Sequence, residues 1–261
     1  MGARGAASLV SRRLAPLSGI AVLIVAWEAA VRWKPGSLLP GPWGVARAIA
    51  ELAANGLLWK HLSASLFRVS WGYLAAVVCA LPAGLWLGSV RRAELAFGPW
   101  LEVLRPISPL AWIPIAILWL GVGDLAAIAI IFFASFLPLT FVVKDAVRRI
   151  PAVHLQAGGN FGLGRRQLVR KVVLPAILPQ TIVGLRLSLG IAWLVVVAAE
   201  MIAVNSGLGF LIIDARNSGN RYDLVVAGMA LIGLVGLGLD LGVRRLEQLP
   251  ALRGGISEAG S

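Results

Sequence analysis

Long apolar runs alternate along this chain with short polar stretches where the charges gather, a pattern that predicts helices crossing a lipid bilayer. The first run extends from about Leu14 to Val31, behind Arg4, Arg12 and Arg13. Glu28 near its end, and the lack of a small-x-small cleavage site before Arg32, make it an uncleaved first span rather than a removed leader. Residues 69–90 carry no charge and are long enough to span. Residues 106–123 and 125–143 are likewise uncharged, and Asp124 in a GVGD turn between them predicts a tight hairpin of two spans. Residues 187–213 hold one charge, Glu200, and a sixth span is expected from about Leu224 to Val243, around Asp240. The expectation is an all-α, polytopic membrane helix bundle of about six transmembrane helices. Residues 14–247 would form the transmembrane domain, with 1–13 and 248–261 as tails.

Composition supports the bilayer as solvent. At 261 residues, 59% hydrophobic and a mean hydropathy of +0.85, the chain has more apolar surface than one soluble core of this length can bury. A net charge of +12 suggests a nucleic-acid partner, but the basic residues stand at the ends of apolar spans, so the expectation is membrane orientation and no nucleic acid. Six spans place both termini on one side. Arg4, Arg12, Arg13, Arg91, Arg92, the eight Lys and Arg from Lys144 to Arg186, and Arg244, Arg245 and Arg253 share that side, 16 in all. The other side receives 7: Arg32, Lys34, Arg47, Lys60, Arg68, Arg216 and Arg221, with Arg105 unassigned. The positive-inside rule makes the richer face, and both termini, cytoplasmic.

Several chemistries are excluded. The single cysteine, Cys79, lies inside an apolar run and supports neither a disulfide framework nor a cysteine metal site. His61 and His154 lack metal-ligand spacing and read as surface or interface histidines. No nucleophile elbow, paired-carboxylate constellation or phosphate loop is present, so any chemistry belongs to another chain. Pro82, Pro106, Pro109, Pro114 and Pro138, all within apolar runs, imply kinked helices packed in a bundle. Gly84 with Gly88, and Gly238 with Gly242, have the small-xxx-small spacing that allows helices to approach closely.

Between Gln156 and Pro175 a polar, arginine-rich island interrupts the apolar pattern. Pro151 suits a first helical turn, Ala152 to Ala157 can propagate it, and Gly158 and Gly159 let the chain leave. Asn160 to Gly164 reads as a turn. A second helix is expected over Arg165 to Val173, with Leu168, Val169, Val172 and Val173 on one face, until Pro175 and Pro179 end or kink it. The predicted unit is a cytoplasmic helix-turn-helix segment, about residues 145–183, between spans four and five. By pattern alone it could be a docking element for a soluble partner or a basic hairpin resting on anionic lipid.

The spacing across this island is similar to the EAA signature of ABC importer permeases. Gln156, Ala157 and Gly158 stand in the EAA positions, Gly162 in the glycine position, Val172 in that of Ile, and Leu174 with Pro175 closes the pattern. Departures are Gln156 for Glu, Gly158 for the second Ala, and Val172 for Ile; the first leaves at most an amide hydrogen bond where an ion pair would form. Further segments resemble the nitrate, sulfonate, taurine and bicarbonate branch of that family: Leu104 to Asp124, Gly184 to Met201, and Ser206 to Ile212. With the sixth span, the likeness covers roughly residues 60–247. The resemblance implies a multi-pass permease of the bacterial inner membrane, working as a dimer with a second copy of itself. Each copy would dock a cytoplasmic ATPase subunit through Gln156, Ala157, Gly158, Gly162, Val172, Leu174 and Pro175. A periplasmic or lipid-anchored substrate-binding protein would deliver cargo to the opposite face. No cofactor belongs to this chain; ATP and magnesium would be bound by the ATPase, and the permease itself is not an enzyme.

Three charged residues are candidates for the translocation path. Glu200 lies within an apolar span, where a carboxylate costs about 2.5–3.5 kcal/mol on insertion scales and must face protein or water. It either belongs to the path or pairs with a basic residue between helices. Arg186 could attract an anion leaving the pore or snorkel to lipid phosphate. Arg105, beside Pro106, could serve the path or be neutralised by Glu102 across i, i+3. Trp112, Trp119 and Trp193 read as lipid-facing or helix-packing residues. The residues also leave open an ATPase-independent channel or secondary carrier, and a membrane scaffold, and do not fix the cargo.

Overall fold

The computed structural model describes residues 3–33 and 38–247, with side chains placed for 18–33 and 38–245. The expected tail 248–261 with Arg253, and Lys34, lie outside the described residues, as do the side chains of Arg4, Arg12 and Arg13. The described chain is helical and divides into two compact units, one formed by the chain up to Trp59 with Leu211–Ala230, the other by Lys60–Phe210 with the chain from Leu231 onward.

In the first unit, α1 (Ala3–Trp33) covers the expected first span, and Glu28 pairs with Arg32 one turn on at 2.7 Å. An unexpected helix follows, α2 (Pro42–Ala54). It starts where Pro42, with no N–H to satisfy, is cheapest, and buries Val45, Ala48 and Leu52 as one stripe. Arg221 ties Glu51 (2.7 Å) to Asp223 (2.8 Å).

In the second unit, α3 (Leu57–Ser89) is followed by α4 (Arg91–Leu104), a 3-10 turn at Pro109–Trp112, α5 (Ile113–Leu120) and α6 (Asp124–Arg148). Then come α7 (Ala152–Asn160), α8 (Arg165–Leu168), a π turn at Val169–Val173 and α9 (Leu174–Ala203). Two helices, α10 (Leu208–Gly219) and α11 (Tyr222–Glu247), carry the chain through both units. The core lies between α6 and α9, where Leu139, Val143, Ala146 and Val147 meet Val173 and Ile177. Across α6 comes α3, whose small residues recur every fourth position: Gly72, Ala76, Ala80, Gly84 and Gly88. A Cβ at Gly84 or Gly88 would lie 2.6 Å from Val143 or Val147, so the missing side chain is what lets the two helices touch. At the other expected pair, Gly238 and Gly242, a Cβ would meet nothing within 4 Å among the described residues.

Four described helices are long and apolar enough to cross a membrane: Leu57–Ser89, Asp124–Arg148, Arg165–Ala203 and Tyr222–Arg245. A fifth is added if the bent pair α4 and Pro109–Leu120 counts as one span. Three expectations need correction. The uncharged run 106–123 is not a straight span: the path bends by 90° there, and α5, at 8 residues, reaches only about 12 Å. Pro106, Pro109 and Pro114 cluster too closely for one helix to run through, whereas the isolated Pro82 and Pro138 sit inside continuous helices. Residues 187–213 are not one span either. The helix stops at Ala203, Val204 is extended, Gly207 takes a φ of 109°, and α10 begins at Leu208. Finally, Pro175 and Pro179 do not end the helix after the island. The π turn directly before Pro175 widens the spiral where the ring would strike the carbonyl four residues back, and the helix continues to Ala203.

Candidate functional site

Two places in the second unit concentrate polar groups. The first is a buried charge cluster around Glu200. Helix α3 begins well before the charge-free run, so Arg68 falls inside it, on the face that continues His61 and Ser65 downward into the small-residue stripe. All three are buried, as is Glu200 on α9, which has no exposed surface. Arg68 Nη1 donates to Glu200 Oε1 at 2.7 Å and to the Ser206 carbonyl at 2.7 Å. Its Nε donates to Asp124 Oδ1 at 2.8 Å, and Nη2 donates to Ser206 Oγ.

The other Glu200 oxygen accepts from Ser65 Oγ (2.9 Å) and from the backbone N–H of Gly209 (3.0 Å). Ser65 Oγ in turn accepts from Leu208 N–H at 2.9 Å, and His61 Nδ1 accepts from Gly207 N–H at 3.1 Å, its ring stacked on Phe210. The turn between α9 and α10 is thus held by α3 through its own amides. Gly207 and Gly209 are required there, because a Cβ on Gly207 would collide with the Glu200 carboxylate and one on Gly209 with the Val197 carbonyl. A fully paired and hydrogen-bonded carboxylate can sit in an apolar span; an isolated one cannot.

The second place is the island. Its first helix runs through both glycines to Asn160, and the turn Phe161–Gly164 follows, with Gly162 at a φ of 73° that a side chain disfavours. Gly158, in the second-Ala position, is buried: a Cβ there would lie 2.5 Å from Leu168, so α7 packs directly on α8. Gln156, Ala157, Gly162, Leu174 and Pro175 are exposed, and Val172 is half-buried. Alongside runs a groove of about 880 Å³, lined among others by Pro151, His154, Ala157, Phe161 and Val172. Phe161 stands 84% exposed at the tip of the turn.

The three path candidates are dispersed. Glu200 is enclosed in the cluster. Arg186 Nε bonds Asp240 Oδ1 at 2.6 Å, and nearby Trp193, buried, donates its indole N–H to the Ile232 carbonyl at 3.1 Å. Arg186 is therefore engaged with α11. Arg105, at the end of α4, makes no ion pair with Glu102 among the described residues; its guanidinium lies 5.3 Å from the centroid of the Phe141 ring.

Sequence reasoning missed Arg68 and Ser65, and placed His61 at a surface or interface. The available signal was the i, i+4, i+7 spacing of His61, Ser65 and Arg68, in register with the glycines and alanines that follow. Phe161 was missed too, although a large apolar residue beside a glycine turn in a polar island is itself a signal.

A family model described as binding-protein-dependent transport system inner membrane component matches residues 80–249. The taurine transport system permease protein of Escherichia coli is 34% identical over 236 residues, 88% of this chain and 86% of that one. A putative aliphatic sulfonates transport permease protein of Bacillus subtilis is 34% identical, covering 87% and 83%. The nitrate import permease protein of a Synechocystis strain is 34% identical, covering 90% and 88%. Among solved structures, an inward-facing MetNI methionine ABC transporter aligns with a TM-score of 0.66 at 21% identity, covering 77% of this chain and 98% of the other; the fold is shared.

Proposed function

The chain belongs to the family of binding-protein-dependent transport system inner membrane components, and from that premise we propose that it carries a small sulfonate or nitrate-like oxyanion across the membrane, driven by a separate ATPase. The cargo class is that named for its relatives. In this reading two copies of the chain form the path, a substrate-binding protein loads it from outside, and each copy docks one ATPase subunit on the island, which lies on the cytoplasmic side with both termini. ATP binding would move the docked segment and switch the bundle between inward-open and outward-open states, because nucleotide and cargo favour different arrangements. ATP and magnesium would be held by the ATPase. A channel or carrier working without an ATPase is not favoured, given the relatives.

The observation that carries the docking reading is the exposed turn itself: Gly162 in a left-handed conformation, Phe161 projecting beside it, and a groove along α7. Replacing Gly162 by Val forces a side chain into that backbone region and should abolish transport and ATPase co-purification while leaving the membrane helices folded. Full transport and full association in Gly162→Val would refute docking through this turn.

A further inference from the structure

We propose that Arg105 and Lys144 form a binding station for a small oxyanion at the elbow between α4 and the 3-10 turn. The elbow, residues 105–108, is exposed, irregular backbone joining two segments bent by 90°. In a membrane-crossing chain, irregular backbone is sustained only where protein or water covers it, and interrupted spans are where transport folds place ligands.

Two cations lie against one aromatic ring there. Arg105 Cζ lies 5.3 Å and Lys144 Nζ 4.9 Å from the centroid of Phe141, which is itself buried. Lys144, on α6, is only 6% exposed. Its closest carboxylate oxygen, on Asp145, is 3.9 Å away, beyond hydrogen-bond reach, and belongs to a side chain that is 54% exposed. The neighbouring carboxylate of Glu94 is taken by Arg148 and Arg91. Arg105 has no ion pair among the described residues, and neither cation donates a hydrogen bond there.

The ring balances part of the charge but accepts no ordinary hydrogen bond, so the donors of one ammonium and one guanidinium stay available. A sulfonate, nitrate or similar group, with three acceptor oxygens around one centre, supplies both the missing charge and the missing acceptors. That the anion is cargo rests on the importer reading; that the site takes an oxyanion rests on the two cations alone.

The test uses the full-length chain in phosphatidylcholine nanodiscs. Phenylglyoxal modification of Arg105 is followed by peptide mass spectrometry in chloride, methanesulfonate or nitrate at equal ionic strength, with the exposed Arg92 as internal control. Either oxyanion should slow modification of Arg105, but not of Arg92, by about fivefold or more at concentrations several times the dissociation constant. Protection should persist in Lys144→Arg and vanish in Lys144→Gln. Equal Arg105 rates in chloride and both oxyanions would overturn the proposal, and that comparison needs no variant to fold. Protection in chloride once phosphatidylglycerol is added would assign the cations to lipid headgroups and overturn it too. Loss of ATPase association would instead sink the importer reading and leave the protection result standing.

Discussion

The guanidinium of Arg68 on α3 holds the carboxylate of Glu200 on α9 at 2.7 Å, with side chains 3% and 0% exposed. Removing Arg68 leaves the Glu200 carboxylate buried without its counter-charge, which costs about 3–5 kcal/mol, and removing Glu200 leaves the buried guanidinium with the half-exposed Asp124 as its remaining carboxylate. Arg68→Met and Glu200→Met should each sharply lower the melting temperature of the purified chain, while the double variant loses clearly less than the two combined. Strict additivity in that thermal double-mutant cycle would mean the two groups do not act as a pair.

Glu200→Gln separates charge from shape. The amide can still accept from Ser65 or Gly209 but cannot balance Arg68, which keeps Asp124 and Ser206. Its destabilisation should fall well below that of Glu200→Met. If it also leaves transport and protein level unchanged, Glu200 has no part in the transport mechanism.

The α3 stripe predicts a contrast between glycines. Gly84→Leu drives a side chain into Val143 and should cost about 3 kcal/mol or more, since the backbones must separate. A Cβ at Gly242 meets nothing within 4 Å among the described residues, and Gly242→Leu should leave monomer stability within about 0.5 kcal/mol. Thermal unfolding in detergent compares the two directly.

Phe161→Ala removes an exposed ring that contributes little to folding, so its melting temperature should match that of the parent chain. If the ring anchors the ATPase, its loss should weaken association about 30-fold, the scale of an aromatic hot spot of about 2 kcal/mol. Co-purification at the parent level would place the anchor elsewhere on the island.

Orientation is checked by reporter fusions. A fusion after Arg166 should be active only with a cytoplasmic reporter, because the island follows the count of basic residues. A periplasmic signal at that position would reverse the assignment.

What could be read from the chain alone follows from how local each signal is. The uncharged run ahead of Lys144 and the run around Asp240 announce α6 and α11, and the Asn160–Gly164 stretch announces a turn, since each depends only on neighbours in sequence. Arg68 did not stand out because a charge next to an apolar run reads as the edge of a span. Glu200, 132 residues later, together with Asp124 and Ser206, makes it tolerable inside one. The elbow at 105–108 was hidden for the opposite reason: hydropathy does not register that three prolines in nine residues remove the N–H groups a straight helix needs. Conversely, Pro175 after the island suggests a break that one widened turn absorbs, and the helix also runs on through Pro179.

That widened turn has a consequence for how movement travels. Because the spiral is unbroken from Arg165 to Ala203, 39 residues and about 58 Å in length, a tilt of some 5° at its foot would sweep the far tip sideways by about 5 Å. The far tip is where Glu200 and Ser206 meet Arg68, so a nudge at the foot would arrive as shear on a buried, charge-paired cluster.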